Sequence, residues 1–255
     1  MSKKTIHFFL IACIGVFTSL KKPGTSFSEL QLKNPRVATA KNEKDEYLKK
    51  LCAEKGISYP VKNIFIRVFK KETEMEVWVK STDNKPYKLL KKYNICTVSG
   101  SLGPKRREGD GQTPEGFYDI KNFNPDSRFY LSLGVSYPNA SDKIKTLDKQ
   151  HPGGDIFIHG NCVSIGCMPI QDDGIKELYW LGVQAKAAGQ KQIEVHIFPF
   201  KMNDENMKWV EDKYSNNPPL VNFWKNLEPG YTYFEKYKKL ESVSVDENGK
   251  YVFGG

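Results

Sequence analysis

Cysteine is scarce in this chain, with 5 in 255 residues, and glycine (20) and proline (14) are too few and too irregularly spaced to build a repeat. The first shortage excludes a disulfide-dense miniprotein and the second a collagen-like rod. No internal repeat recurs and no sustained heptad seam is present, so solenoids and coiled coils fall away. Nor is there an apolar run of 18 residues or more, as a polytopic membrane protein needs.

What is present describes a packed protein. Hydrophobic residues make up 39% of the chain and aromatics 13%, enough to bury a core for one substantial domain with additions, or for two small ones. Formal net charge is +9, but Lys3, Lys4, Lys21 and Lys22 lie in the first 22 residues, which hold no acid. The remainder carries 35 basic against 30 acidic residues, too mild an excess to imply nucleic acid, although it suits polyanionic surroundings.

The apolar stretch from Ile6 to Leu20, bracketed by these lysines, reads as an export signal. Its fifteen residues make about 22 Å of helix, short of a roughly 30 Å hydrocarbon core. Leu10-Ile11-Ala12-Cys13 also looks like a lipobox, which makes Cys13 a candidate lipid anchor, with cleavage elsewhere as the alternative. The expectation is an exported protein of the periplasm or cell envelope that meets a membrane only through residues 1 to 22. Residues 23 to 60, polar at first and without apolar periodicity, read as a tether followed by a short helix from Asp45 to Lys55.

From residue 61 the period changes to two. Ile64, Ile66 and Val68 alternate with Phe65, Arg67 and Phe69, then Met75, Val77 and Val79 with Glu76 and Trp78. Tyr87 to Ser99, Phe117 to Ile120, Tyr130 to Val135, Asp155 to His159 and Gln192 to Phe198 are further strand candidates. Gly100 to Gly116 holds five glycines and two prolines and reads as a long functional loop. One helix stands out after residue 170, capped by Asp172 or Asp173 and stopped by Gly189. Beyond Phe200, Asp204 to Tyr214 and Leu220 to Leu227 look helical, Tyr231 to Leu240 is ambiguous, and Val243 to Val245 can pair with Tyr251 to Phe253 across Asn248-Gly249. The pattern describes a mainly β core over 61 to 200 with α additions, and a small, mostly helical C-terminal appendage over 201 to 255.

The string from Asp155 to Cys167 carries the chemistry. It places His159 at the end of an apolar strand and Cys167 after a glycine-containing turn. An ordinary thiol is mostly protonated at neutral pH, and an imidazole within reach activates it by taking its proton. Gly166 permits a sharp turn, and amides around Ile165 to Cys167 can donate to an oxyanion. The same residue types allow two other readings: a zinc site built from His159, Cys162 and Cys167 with His151 or His196, or a structural thiol pair. A Cys162–Cys167 disulfide would block the thiol, the plainer alternative being a half-buried Cys162.

HGNCVSIGCM, residues 159 to 168, resembles the HGxxxSxGC signature of the YkuD-type L,D-transpeptidases (the ErfK/YbiS/YcfS/YnhG group). Glu76 to Lys80, Ser99 to Tyr118 and Asn124 to Asn139 are similar to the YafK-like branch, so the likeness covers about residues 60 to 200. It implies a YkuD-like β-sandwich core carrying one helix after the nucleophile. It further implies Cys167 as nucleophile and His159 as base, a catalytic loop shaped by Gly160, Ser164, Ile165 and Gly166, and no metal or other cofactor. A backbone oxygen near Gly160 is expected to orient the imidazole. The implied substrates are peptidoglycan stem peptides, attacked at an L-centre carbonyl to give an acyl-enzyme that passes to an amine, forming a 3-3 crosslink, or to water. Arg128, Tyr137, Asn139 and Asn161 are candidates for substrate binding, and a wall-attached protein is a candidate partner. Many members carry Arg where this chain has Pro169, which weakens the case for the common tetrapeptide donor. Two alternatives stand beside transfer: a strictly hydrolytic L,D-carboxypeptidase or endopeptidase of the YafK-like type, and, more remotely, a non-catalytic wall-binding protein.

Overall fold

A computed structural model describes residues 26 to 82 and 84 to 254; the expected export signal and Cys13 lie outside the described residues. Two helices come first, α1 (Phe27–Leu32) and α2 (Pro35–Glu54). They replace most of the expected tether. Asn34 caps α2 by accepting from the Arg36 amide at 2.9 Å, and Pro35 starts it with a preset φ. Val37, Ala40, Leu48 and Cys52 are buried. These four form one narrow stripe among charged residues, too thin to show as helical periodicity in the sequence.

The strands β1 (Asn63–Phe69), β2 (Glu74–Lys80), β3 (Lys88–Asn94), β4 (Gly116–Asn124) and β5 (Ser132–Val135) follow, then the short helix α3 (Ala140–Lys145). Next come β6 (Phe157–His159), β7 (Met168–Pro169), α4 (Gln171–Ala187) and β8 (Glu194–Phe198). All eight strands belong to one sheet in the order β3-β2-β1-β8-β4-β5-β6-β7. The pairs β1/β8 and β6/β7 are parallel and the others antiparallel.

The sheet curls because β4 changes partner along its length. Gly116 to Asp119 pair with β8, whereas Ile120 to Asn124 pair with β5 across a register shift between Ile120 and Asn122. Curling brings the chain just past β3 back to the far edge, where the Cys96 amide donates to the Pro169 carbonyl at 3.1 Å. The architecture is the expected mostly β sheet with helical additions.

Both faces of the sheet are covered. Ile64, Ile66 and Val68 join the main core with residues of α2 and α4. The first two helices are tied to α4 by Tyr179 Oη to Gln31 and Trp180 Nε1 to Asp45, each 2.6 Å. The other face carries Phe65, Phe69 and Phe198 beneath the C-terminal elements. These are α5 (Asp204–Lys213), α6 (Pro218–Tyr237) and the hairpin of β9 (Val243–Val245) with β10 (Tyr251–Phe253). The helix α6 runs unbroken through Pro229 and absorbs most of the ambiguous stretch after Tyr231. Gly230 lets it approach closely, since a Cβ there would stand 2.8 Å from the rings of Phe117 and Phe253. Among the described residues no helix is long and apolar enough to cross a membrane.

Candidate active site

The parallel pair β6/β7 aligns Ile158 with Met168 and His159 with Pro169. The loop between them leaves from His159 and returns at Cys167. Continuing that register sets Cys167 abreast of Phe157, on the face that His159 shares; strand spacing and rise then put the two Cα atoms roughly 8 Å apart.

His159 is 1% exposed and stacks on Phe129 with ring centroids 4.5 Å apart. Its Nδ1 lies 2.5 Å from the carbonyl oxygen of Gly160. A carbonyl only accepts, so Nδ1 bears the hydrogen and Nε2 keeps a lone pair. Burial lowers the imidazole pKa below its ordinary 6.5, opposed by the Gly160 contact, so the ring is neutral at neutral pH. Gly160 has no room for a side chain, because a Cβ would stand 2.7 Å from the Phe129 carbonyl oxygen.

Cys167 is a free, half-buried thiol. Burial pushes its pKa above the ordinary 9.0, while the Phe157 amide and the Lys105 ammonium pull it back and Asp155 opposes them. The thiol donates to the Asp155 carbonyl oxygen at 3.5 Å, and among the described residues it has no hydrogen bond to His159. Both groups therefore rest neutral and apart. Ser164 shapes the loop: its hydroxyl donates to the Cys167 carbonyl at 2.7 Å and accepts from the Gly166 amide at 3.0 Å. That second bond occupies one expected oxyanion donor and leaves the Ile165 and Cys167 amides. Gly166 has φ +137°, and a Cβ there would stand 3.0 Å from the Gln112 carbonyl oxygen. Ile165 is 87% exposed.

Cys162 is in neither of the two states weighed for it beside Cys167. It forms a disulfide with Cys96, 66 residues away, and is neither a half-buried thiol nor Cys167's partner. That bond also removes the thiolate that the zinc reading required.

The candidate substrate-binding residues divide. Asn161 sits in the exposed loop at φ +58°, its amide donating to Asp172 at 2.8 Å and its side-chain oxygen accepting from the Cys162 amide at 2.6 Å. Asp172, expected to cap α4, is committed to that contact, and α4 starts without a side-chain cap. Arg128 is exposed and forms no ion pair among the described residues. Tyr137 is instead buried, with its hydroxyl donating to the Pro152 carbonyl at 2.8 Å. Asn139 is likewise structural: it caps α3 and donates to the Phe117 carbonyl and the Tyr251 hydroxyl at 3.0 and 2.9 Å. A cleft of about 790 Å³ lined by Lys62, Lys80, Lys85, Lys191 and Lys239 includes neither Cys167 nor His159. Phe129 and Gln112 were not singled out from the sequence, since each lies more than 25 residues from the string whose geometry it shapes.

Residues 63–183 match the family model for the YkuD L,D-transpeptidase catalytic domain. Over 191 residues the chain is 42% identical to the "Putative L,D-transpeptidase YafK" of Escherichia coli strain K12, covering 74% of this chain and 73% of that protein. The chain belongs to the L,D-transpeptidase family. The corresponding protein of E. coli O157:H7 matches to the same extent. Among solved structures, the helical cell shape determining protein Pgp2 from Campylobacter jejuni aligns at 19% identity and TM-score 0.42, over 80% of each chain.

Proposed function

We propose that this family member is an exported cysteine enzyme that opens peptidoglycan stem peptides at an L-centre carbonyl, with Cys167 as nucleophile and His159 as general base. The observation that carries the reading is the Nδ1 contact of His159 to the Gly160 carbonyl, which reserves Nε2 as the proton acceptor on the face that Cys167 shares. With both groups neutral at rest, proton transfer accompanies attack and no ion pair forms beforehand. The thiol turns from the Asp155 carbonyl toward Nε2, Sγ adds to the carbonyl carbon, and the Ile165 and Cys167 amides face the oxyanion. The imidazolium then returns the proton to the departing amine, leaving a thioester on Cys167. A second amine or water attacks that thioester, His159 takes the nucleophile's proton, and the C–S bond breaks as the imidazolium returns that proton to the Cys167 sulfur. No step calls on a metal or organic cofactor.

Hydrolysis is the second reading, and Pro169 favours it. This residue lies in β7, where many family members present a guanidinium, and it offers no side-chain donor to hold a substrate carboxylate. Export is supported by the Cys96–Cys162 disulfide, since such bonds persist in oxidising compartments.

Incubation with a carbapenem followed by intact-mass analysis tests the nucleophile: one adduct is expected on the native chain and none on Cys167→Ala. An unlabelled native chain would favour the non-catalytic alternative. Digestion of purified muropeptides then separates the reactions, because new 3-3 dimers report transfer, a released D-amino acid reports carboxypeptidase action, and loss of dimers or of an attached protein reports endopeptidase action.

A further inference from the structure

We propose that Cys96 is a positioning residue for the nucleophile, gripping its loop on both sides, and that its disulfide keeps Cys162 from bonding to Cys167. The inference rests on the reading of Cys167 as nucleophile. Cys96 follows β3 on one edge of the curled sheet, and the loop belongs to the opposite edge. The Cys96 amide holds the Pro169 carbonyl, two residues after Cys167, while its sulfur holds Cys162, five residues before it. Between Cys162 and Gly166 the loop has little outside itself to fix it. Val163 and Ile165 are 50% and 87% exposed, and the Ser164 hydrogen bonds stay within the loop. Such a segment, with few buried apolar contacts, opens readily unless it is tied. A cross-link across the seam of the sheet removes that freedom where misplacement of the sulfur by about 1 Å costs about a hundredfold in rate.

The second part follows from spacing. Without Cys96, Cys162 becomes a thiol five residues from Cys167 on a loop that already doubles back through Ser164 and Gly166. A small-molecule disulfide such as oxidised glutathione then converts the pair. The thiolate of one cysteine attacks the glutathione disulfide and releases one glutathione, and the second cysteine attacks the mixed disulfide and releases another. Two protein thiols lose two electrons, one glutathione disulfide gains them, and the two protons pass to the released glutathione. Cys167 is then blocked.

The test compares carbapenem acylation of the native chain, Cys96→Ser and the double variant Cys96→Ser/Cys162→Ser, all held in oxidised glutathione. The native chain should be labelled. Cys96→Ser should resist labelling, yield a peptide containing both Cys162 and Cys167 that has lost two hydrogens, and recover on addition of dithiothreitol. The double variant should label without reductant, at least about tenfold slower than the native chain. Cys162→Ser also breaks the bridge, and every variant keeps the backbone amide of residue 96, so it should label about as slowly as the double variant and serves as the comparison if Cys96→Ser does not fold. Native-rate labelling of Cys96→Ser with two alkylatable thiols at 162 and 167 would overturn the guarding role, and native-rate labelling of both bridge-free variants would overturn positioning. An unlabelled native chain would instead sink the nucleophile assignment.

Discussion

At the scale of single residues, the proposed reaction depends on two buried groups whose charges are both suppressed. Burial favours the neutral imidazole of His159 and the neutral thiol of Cys167. A base whose pKa is lowered stays available further into acid, so acylation by a carbapenem should retain its rate down to pH 6.5 and fall only below it. On the alkaline side the rate should keep rising through pH 9.0, because the thiol ionises above its ordinary value. Stopped-flow acylation across pH reads both limbs, and an acid limb centred above 6.5 would contradict the buried, neutral histidine. His159→Gln should slow acylation by about 10² to 10⁴-fold and abolish the acid limb. Gly166→Ala forces a positive φ on a residue with a Cβ and drives it toward the Gln112 carbonyl. Acylation should fall steeply while the urea midpoint moves far less, since the strain is confined to the loop. His159, Ser164, Gly166 and Cys167 were open to proposal as site residues from the sequence because one contiguous string holds them and its chemistry is local. Cys96, Phe129 and Gln112 were not, because their proximity is produced by strand pairing across the sheet.

At the scale of elements, the strands β1, β2 and β8 were readable although both their faces are buried, because successive side chains enter two different cores, aliphatic on the helix side and aromatic or polar on the other. The helix α2 left almost none. Its four buried side chains are separated by charged residues, so its stability comes from packing on α4 and not from a broad apolar face. Leu48→Ala should therefore cost about 2 to 5 kcal/mol in urea denaturation, a loss that a flexible tether could not produce. The sequence reading carried a helix only to Leu227; α6 runs on to Tyr237 through Pro229, whose cost the contacts of Tyr231 and Phe234 on the sheet offset.

For the whole molecule, one buried carboxylate joins the C-terminal helices to the sheet and to the long glycine-rich loop. Glu115 is fully buried and accepts from Lys70 Nζ, the Gly103 amide and Trp224 Nε1 at 2.9, 2.7 and 2.9 Å. Glu115→Gln leaves the Lys70 ammonium without its counter-charge and should destabilise the fold by about 3 to 5 kcal/mol in chemical denaturation. The string from Asp155 to Cys167 lies outside this cluster, so carbapenem labelling of the fraction that remains folded should persist. The chain alone fixed the strand periodicity, the helix after residue 170 and the closeness in sequence of His159 to Cys167, since these depend on neighbours within a few residues. Tertiary structure alone decided that α1 and the first half of α2 pack as helices where a tether was expected, that Cys162 bonds to Cys96, and that Tyr137 and Asn139 brace the fold. Those outcomes depend on which distant surfaces meet when the sheet curls, and no local pattern in the chain encodes that meeting.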